Sequence, residues 1–283
     1  MAASLIPPTA SRIKGRFVWI NGGNMLESFY KPQGNSSLLL RGAQPKDRVC
    51  ANSAVATYLV KAFYRGARFR QTIMPILHSW PTGMQPRIQL AIETVCSSPH
   101  LTDEQRKAVG EVALALWRAS GNRMLKDDVT PEPMHALGVA LRVERMRVKY
   151  GFGFEITLAA IMHDAVEDGL LNTEQIDMLV RKTAGSRRLA ARVSRWASMM
   201  SHAPHIKNEE YAAHMEMVMA EPATRLIKVC DMLDRHTRLG TNGLRESELD
   251  KTLIMLGMLY QKYDIQLGAV LENSARRFGL LPH

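Results

Sequence analysis

An apolar run at 156–162 ends abruptly in His163, Asp164, Glu167 and Asp168, with Gly169 directly behind them. Apolar side chains at that density belong in an interior. An interior does not accept four ionisable groups in six residues unless something there holds charge. At helical spacing His163 and Glu167 share one face, and Asp164 and Asp168 share the next. The stretch therefore predicts a buried helix whose polar end is committed to a charged ligand. A divalent metal with a bound water meets that demand.

Two further places offer matching ligands. His135 opens the apolar stretch at 133–140, and Asp231 follows the apolar residues of 225–230. The order along the chain is His, then His-Asp, then Asp. A mixed imidazole and carboxylate set suits manganese, iron or zinc, whereas magnesium prefers oxygen alone.

The remaining pattern is helical from about residue 51 onward. Apolar residues recur at helical spacing over 51–67, 86–96, from Thr102 to Gly121, from His135 to the turn at 149–153, from Thr173, over 187–200 and 209–219, from Pro222 and over 249–278. Thr102 and Thr173 stand at helix starts, and Gly121 and Gly169 at helix ends. Residues 1–48 read as irregular, with short strands expected at 16–20 and 37–40, paired with each other. Gly22-Gly23-Asn24 lacks the Gly-Lys-Ser/Thr ending of a phosphate loop and reads as a turn. The fold expected is all-α: a helical bundle at 121–283 behind a less regular basic region at 1–120.

Charge separates the two parts. The first hundred residues carry 12 Lys and Arg against three acids, a net +9, while the rest stands at +1. Such a basic segment could steer nucleic acid or an acidic partner. The same bias suits a transit peptide, but it runs too far along the chain for one. Three scattered cysteines, Cys50, Cys96 and Cys230, fit a reducing compartment. No apolar run approaches the roughly 18 residues of a membrane span. A cytoplasmic protein with no membrane segment is the expectation.

The three motifs, "PMHALGVA" at 133–140, "AAIMHDAVEDG" at 159–169 and "RLIKVCDMLD" at 225–234, together resemble the HD-domain metal-dependent phosphohydrolases. Within them the sequence is most similar to the (p)ppGpp hydrolase domain of the RelA/SpoT group, over roughly residues 120–245. The resemblance implies an HD-type helical bundle and a manganese ion held by His135, His163, Asp164 and Asp231. It has Glu167 and Asp168 act on the attacking water or help place the metal, and places Lys228 against substrate phosphate. The activity implied is removal of the 3′-pyrophosphate from (p)ppGpp. Nothing in the chain reads as the synthetase half of the long RelA/SpoT enzymes, so a stand-alone hydrolase is expected.

One position departs from the family pattern. Where the family carries asparagine after the third motif, this chain has Arg235. The guanidinium would either contact phosphate in bidentate fashion or pair with Asp234 or Glu246. The departure leaves room for another nucleotide, such as a dNTP or a nucleoside monophosphate. It also leaves room for a non-catalytic metal protein that binds nucleic acid or a partner through its basic region. His202, His205, His214 and His236 match no ligand spacing, the arginines of 187–195 read as a solvated helix face, and the methionines of 199–219 and 252–259 read as core packing.

Overall fold

The computed structural model describes residues 10–13, 16–19, 81–125, 130–202, 208–237 and 245–282. The chain divides into two compact units, Met1–Ala54 and Val55–His283. In the first, strands β1 (Ala10–Ile13) and β2 (Arg16–Trp19) form an antiparallel hairpin in which Ala10 faces Trp19 and Ile13 faces Arg16. The strand expected at 16–20 is present, but its partner is β1. The strand expected at 37–40, the turn at 22–24 and the helix expected at 51–67 lie outside the described residues.

The second unit is all-α over its described residues. Helix α1 (Pro86–Cys96) starts with proline in its first turn, where a missing N–H costs nothing. Helix α2 (Asp103–Ser120) opens on a capping box between Thr102 and Gln105 and closes at Gly121, whose φ of 57° a side chain would resist. Both helices belong to the unit that carries His135, which therefore begins well before residue 121.

Helix α3 (Glu132–Arg147) buries His135, Leu137, Val139, Ala140 and Val143. Helix α4 (Glu155–Ile161) is short and buried from Ile156 to its end. Full burial of each of its large apolar side chains is worth about 1.5–3 kcal/mol. Helices α5 (Thr173–Ala184) and α6 (Arg187–Met200) form a hairpin across Gly185, which takes the left-handed conformation at φ 67°. Helix α7 (Asn208–Ala220) leads into α8 (Pro222–Thr237), the helix of Asp231. Helix α9 (Arg245–Met258), a π turn at Leu259–Tyr263 and α10 (Ile265–Arg277) close the chain. Helix α8 packs against α3, α4, α6, α7, α9 and α10 and is the axis of the unit. Met200, Met215, Met219 and Met255 lie in the core, while Met217 is exposed.

The expected helix through His163 is shorter than its pattern suggests. It stops at Ile161, and 162–169 run on as successive turns. The reason is local. His163 Nδ1 lies 2.9 Å from the carbonyl of Ala160, the acceptor that a continuing helix would offer to the N–H of Asp164. The turns then close by bonds from Asp168 N–H to the Asp164 carbonyl and from Leu170 N–H to the Ala165 carbonyl, around Gly169 at φ 65°. The face shared by His163 and Glu167 is thereby broken. Among the described residues, no helix is long and apolar enough to cross a membrane.

Candidate metal centre

The apolar faces of α3, α4 and α8 bring three distant parts of the sequence to one point. His135 comes from the first turn of α3, His163 and Asp164 from the turns after α4, and Asp231 from the middle of α8. His135 and His163 are 5% and 0% exposed, and Asp231 is 0%. Ligand atoms of His135, His163 and Asp231 all lie within 4.8 Å of one another. His135 Nε2 stands 3.1 Å from Asp231 Oδ1 and 3.5 Å from Asp164 Oδ2. His163 Nε2 stands 3.0 Å from that same Asp164 oxygen.

Both imidazoles are aimed by their other nitrogen. His135 Nδ1 is 2.8 Å from Asp234 Oδ2, and His163 Nδ1 donates to the Ala160 carbonyl. Each Nδ1–H so used leaves the Nε2 lone pair facing inward, the arrangement that metal-ligating histidines adopt. His163 Nε2 is buried and makes no well-formed hydrogen bond despite its proximity to Asp164. Two inward lone pairs and two carboxylates fit a divalent ion of intermediate softness. Among the described residues no other group of histidine, cysteine and acidic side chains converges in this way.

The electrostatics ask for positive charge at this point. Burial opposes protonation of His135, yet hydrogen bonds to Asp164, Asp231 and Asp234 outweigh it and push its pKa up to about 10. Burial likewise opposes ionisation of Asp164 and Asp231. His163 and His135 nevertheless hold the Asp164 carboxyl well below the usual range, as Arg235 and Lys228 do for Asp231. A proton on His135 and a metal ion would compete for the same lone pair.

Asp231 is held on both oxygens. Lys228 Nζ donates to Oδ2 at 2.8 Å and Arg235 Nε donates to Oδ1 at 2.7 Å. Lys228 is buried at 7% exposure, and the Arg235 side chain keeps 29%. Of the acidic partners expected for Arg235, Asp234 is occupied by His135 and Arg142, and the side chain of Glu246 lies outside the described residues. Arg235 pairs with Asp231 and lies 3.7 Å from Glu248, because α8 places Asp231 one turn before it on the same face.

Glu167 and Asp168 lie at the solvent edge. Glu167 turns away from the ligand set, with Oε1 3.5 Å from His202 Nε2. Asp168 turns toward Glu132: partial burial of its carboxyl, together with the Asp164 and Glu132 charges, pushes its pKa up to about 7. Arg123 Nη1 donates to the Asp168 carbonyl at 2.9 Å. A small pocket lined by Glu132, His135, Asp164 and Asp168 opens beside the centre.

Three residues of this arrangement are invisible to motif reading. Asp234 aims His135 and accepts from Arg142 Nη2 at 3.3 Å. Gly138 makes that possible, since a Cβ there would collide with Asp234 Oδ1. Glu132 pairs with Asp168. The one signal in the sequence is spacing: Glu132 and Gly138 each stand three residues from His135, and Asp234 three from Asp231, all on the ligand faces of their helices.

The other histidines serve elsewhere. His202 and His214 meet edge to face at 5.4 Å between ring centroids. His236 is buried between Ser274 and Thr252. His205 lies outside the described residues. On α6, Arg192 pairs with Glu155 and Arg195 with Glu221, and Arg187 and Arg188 are exposed, as a solvated face requires.

No protein-family model matches the chain, and no curated protein is significantly similar to it. A possible-metal group buried at the meeting of three helices is what the geometry itself supplies.

Proposed function

We propose that this chain is a metal-dependent phosphohydrolase of HD type acting on a nucleotide, with (p)ppGpp 3′-pyrophosphate hydrolysis as its lead activity and manganese as its ion. The observation that carries the reading is the convergence of His135 Nε2, His163 Nε2, Asp164 and Asp231 on one buried point, with both Nδ1 atoms turned outward and held. A divalent ion in such a site polarises a phosphate oxygen and brings the pKa of its bound water toward neutrality.

The chain's own residues divide the rest of the work. Asp168, whose carboxyl partial burial and the Asp164 and Glu132 charges raise above the usual range, would take a proton from water as a general base. The neighbouring Glu132 charge favours the protonated form of Asp168. Lys228 fixes the orientation of Asp231 and adds buried positive charge beside the place where phosphate charge would develop. Arg235 offers its remaining N–H groups at the site mouth to a substrate phosphate. Glu167 and His202 line the outer side.

The test is phosphate and pyrophosphate release from a nucleotide panel that includes (p)ppGpp, run with Mn²⁺, Mg²⁺ or EDTA. Manganese-dependent pyrophosphate release from (p)ppGpp, lost in His163→Ala/Asp164→Ala, is the expected result. Release from a dNTP or a nucleoside monophosphate instead would keep the chemistry and move the substrate. No turnover with metal bound would overturn the enzyme reading.

A further inference from the structure

Asp231 presents its Oδ1 to two different cation sites. On one side lies His135 Nε2 at 3.1 Å, which marks the ligand point. On the other lies the Arg235 Nε at 2.7 Å. Its second oxygen, Oδ2, is already taken by Lys228. An ion arriving at the ligand point would thus share Oδ1 with a permanently charged guanidinium, and the two cations repel through a single oxygen.

A second buried carboxylate stands ready on the far side of the same guanidinium. Glu248, on α9, is 4% exposed. Its Oε1 lies 3.7 Å from Arg235 Nη1 and 3.6 Å from Lys251 Nζ, both beyond hydrogen-bond length. Its Oε2 is buried and has no hydrogen-bond partner at all. A buried carboxylate oxygen without a donor is costly, and two mobile donors stand close to this carboxylate, the Lys251 ammonium and the Arg235 fork, of which the fork is the one that also holds Asp231. A shift of the guanidinium by about an ångström, within the freedom of an arginine side chain, would satisfy Glu248 and release Asp231 Oδ1.

We propose that Arg235 is a built-in competitor of the metal on Asp231, and that Glu248 is the receiving carboxylate to which its guanidinium moves when the ion binds. The inference rests on the metal-centre reading above. Ion entry and arginine release become one event. The loaded site then presents a guanidinium freed from Asp231 at its mouth, and the empty site holds that guanidinium closed over the ligand. Glu248 acts through Arg235 and is a positioning residue; it is not a metal ligand.

The competition gives opposite signs for neighbouring substitutions, which a merely structural role would not. Calorimetric titration of Mn²⁺ into the metal-free full chain is the measurement. Arg235→Asn, which removes the competitor, should bind Mn²⁺ ~10-fold or more tightly than wild type. Glu248→Gln, which weakens the receiving site, should bind it several-fold less tightly. The double variant should match Arg235→Asn, because Glu248 has no effect once the arginine is gone. Arg235→Lys, which keeps the charge and the fold, should stay close to wild type. Weaker or unchanged binding in Arg235→Asn overturns the proposal, as does a Glu248→Gln effect that persists in the double variant. Equal binding by all variants would overturn this proposal alone. No binding by either wild type or Arg235→Asn would overturn the metal centre itself.

Discussion

Two buried ionic clusters lie toward opposite ends of the same helix, and they are built on opposite plans. At the end of α3, Glu144 is 1% exposed and receives Ser98 Oγ at 2.7 Å, Thr157 Oγ1 at 2.5 Å and Arg147 Nε at 2.7 Å. Arg147 spends its other N–H groups on the carbonyls of His100 and Phe152. One acid meets one base, and the remaining valences are filled by neutral groups. At the start of α3, His135 faces three aspartates, and His163 Nε2 and Glu248 Oε2 are left without bonds. The first cluster is complete as it stands and ties α1, α3 and α4 together. The second gathers inward-facing ligand atoms that could hold a metal ion. Burial of charge is common to both clusters; the convergence of several ligand atoms on one point belongs to the second alone.

The comparison can be broken from either side. The largest effect is expected for His163→Ala/Asp164→Ala. Loss of two ligands should abolish Mn²⁺ binding in calorimetry, beyond the roughly 10–100-fold that a supporting residue costs. Next is Glu144→Ala, which strands the Arg147 charge. It should lower stability by about 3–5 kcal/mol in urea unfolding, while the folded fraction binds Mn²⁺ as wild type does. A smaller loss is expected for Gly138→Ala. The added methyl pushes Asp234 off His135, and Mn²⁺ affinity should fall by roughly 10–100-fold with little change in unfolding midpoint.

A separate effect is one of pH on the metal-free protein. The His135 pKa is raised to about 10 from an ordinary value near 6.5. A group raised on folding adds stability that is full below its unfolded value and is lost as pH rises through the folded one. Urea midpoints in EDTA should therefore decline between about pH 7 and 10. Mn²⁺ should reverse the trend, since the ion binds the deprotonated ring that high pH supplies. A flat profile would mean that His135 is neutral in the metal-free fold.

Much of the helical frame was legible in the sequence. The bounds of α1 and α6, the start of α8 at Pro222 and the caps at Thr102 and Gly121 follow from proline, threonine, glycine and a 3.6-residue period. Start and stop signals of that kind are local. The four candidate ligands were legible as motifs, and the fold brings them within reach of one another. Three things were not legible. The helix before His163 ends early because a side chain takes a backbone acceptor, a choice that apolar periodicity does not encode. Arg235 prefers Asp231 to Asp234 because of its angular position on α8, settled only when α3 and α9 pack on either side. The Asp234–His135 bond spans 99 residues and needs a glycine on the opposite helix to form.

The bond from His163 to the Ala160 carbonyl has a bearing on how such a site tolerates genetic change. Every residue at position 160 carries a carbonyl, so no substitution there removes the group that orients His163. His135 depends on a particular side chain, Asp234, and on a particular absence of one, Gly138. Drift along a lineage can therefore erode the His135 ligand through three codons, but the His163 ligand through one. Variants that lose function while keeping the fold should accumulate at 135, 138 and 234 more often than around 160.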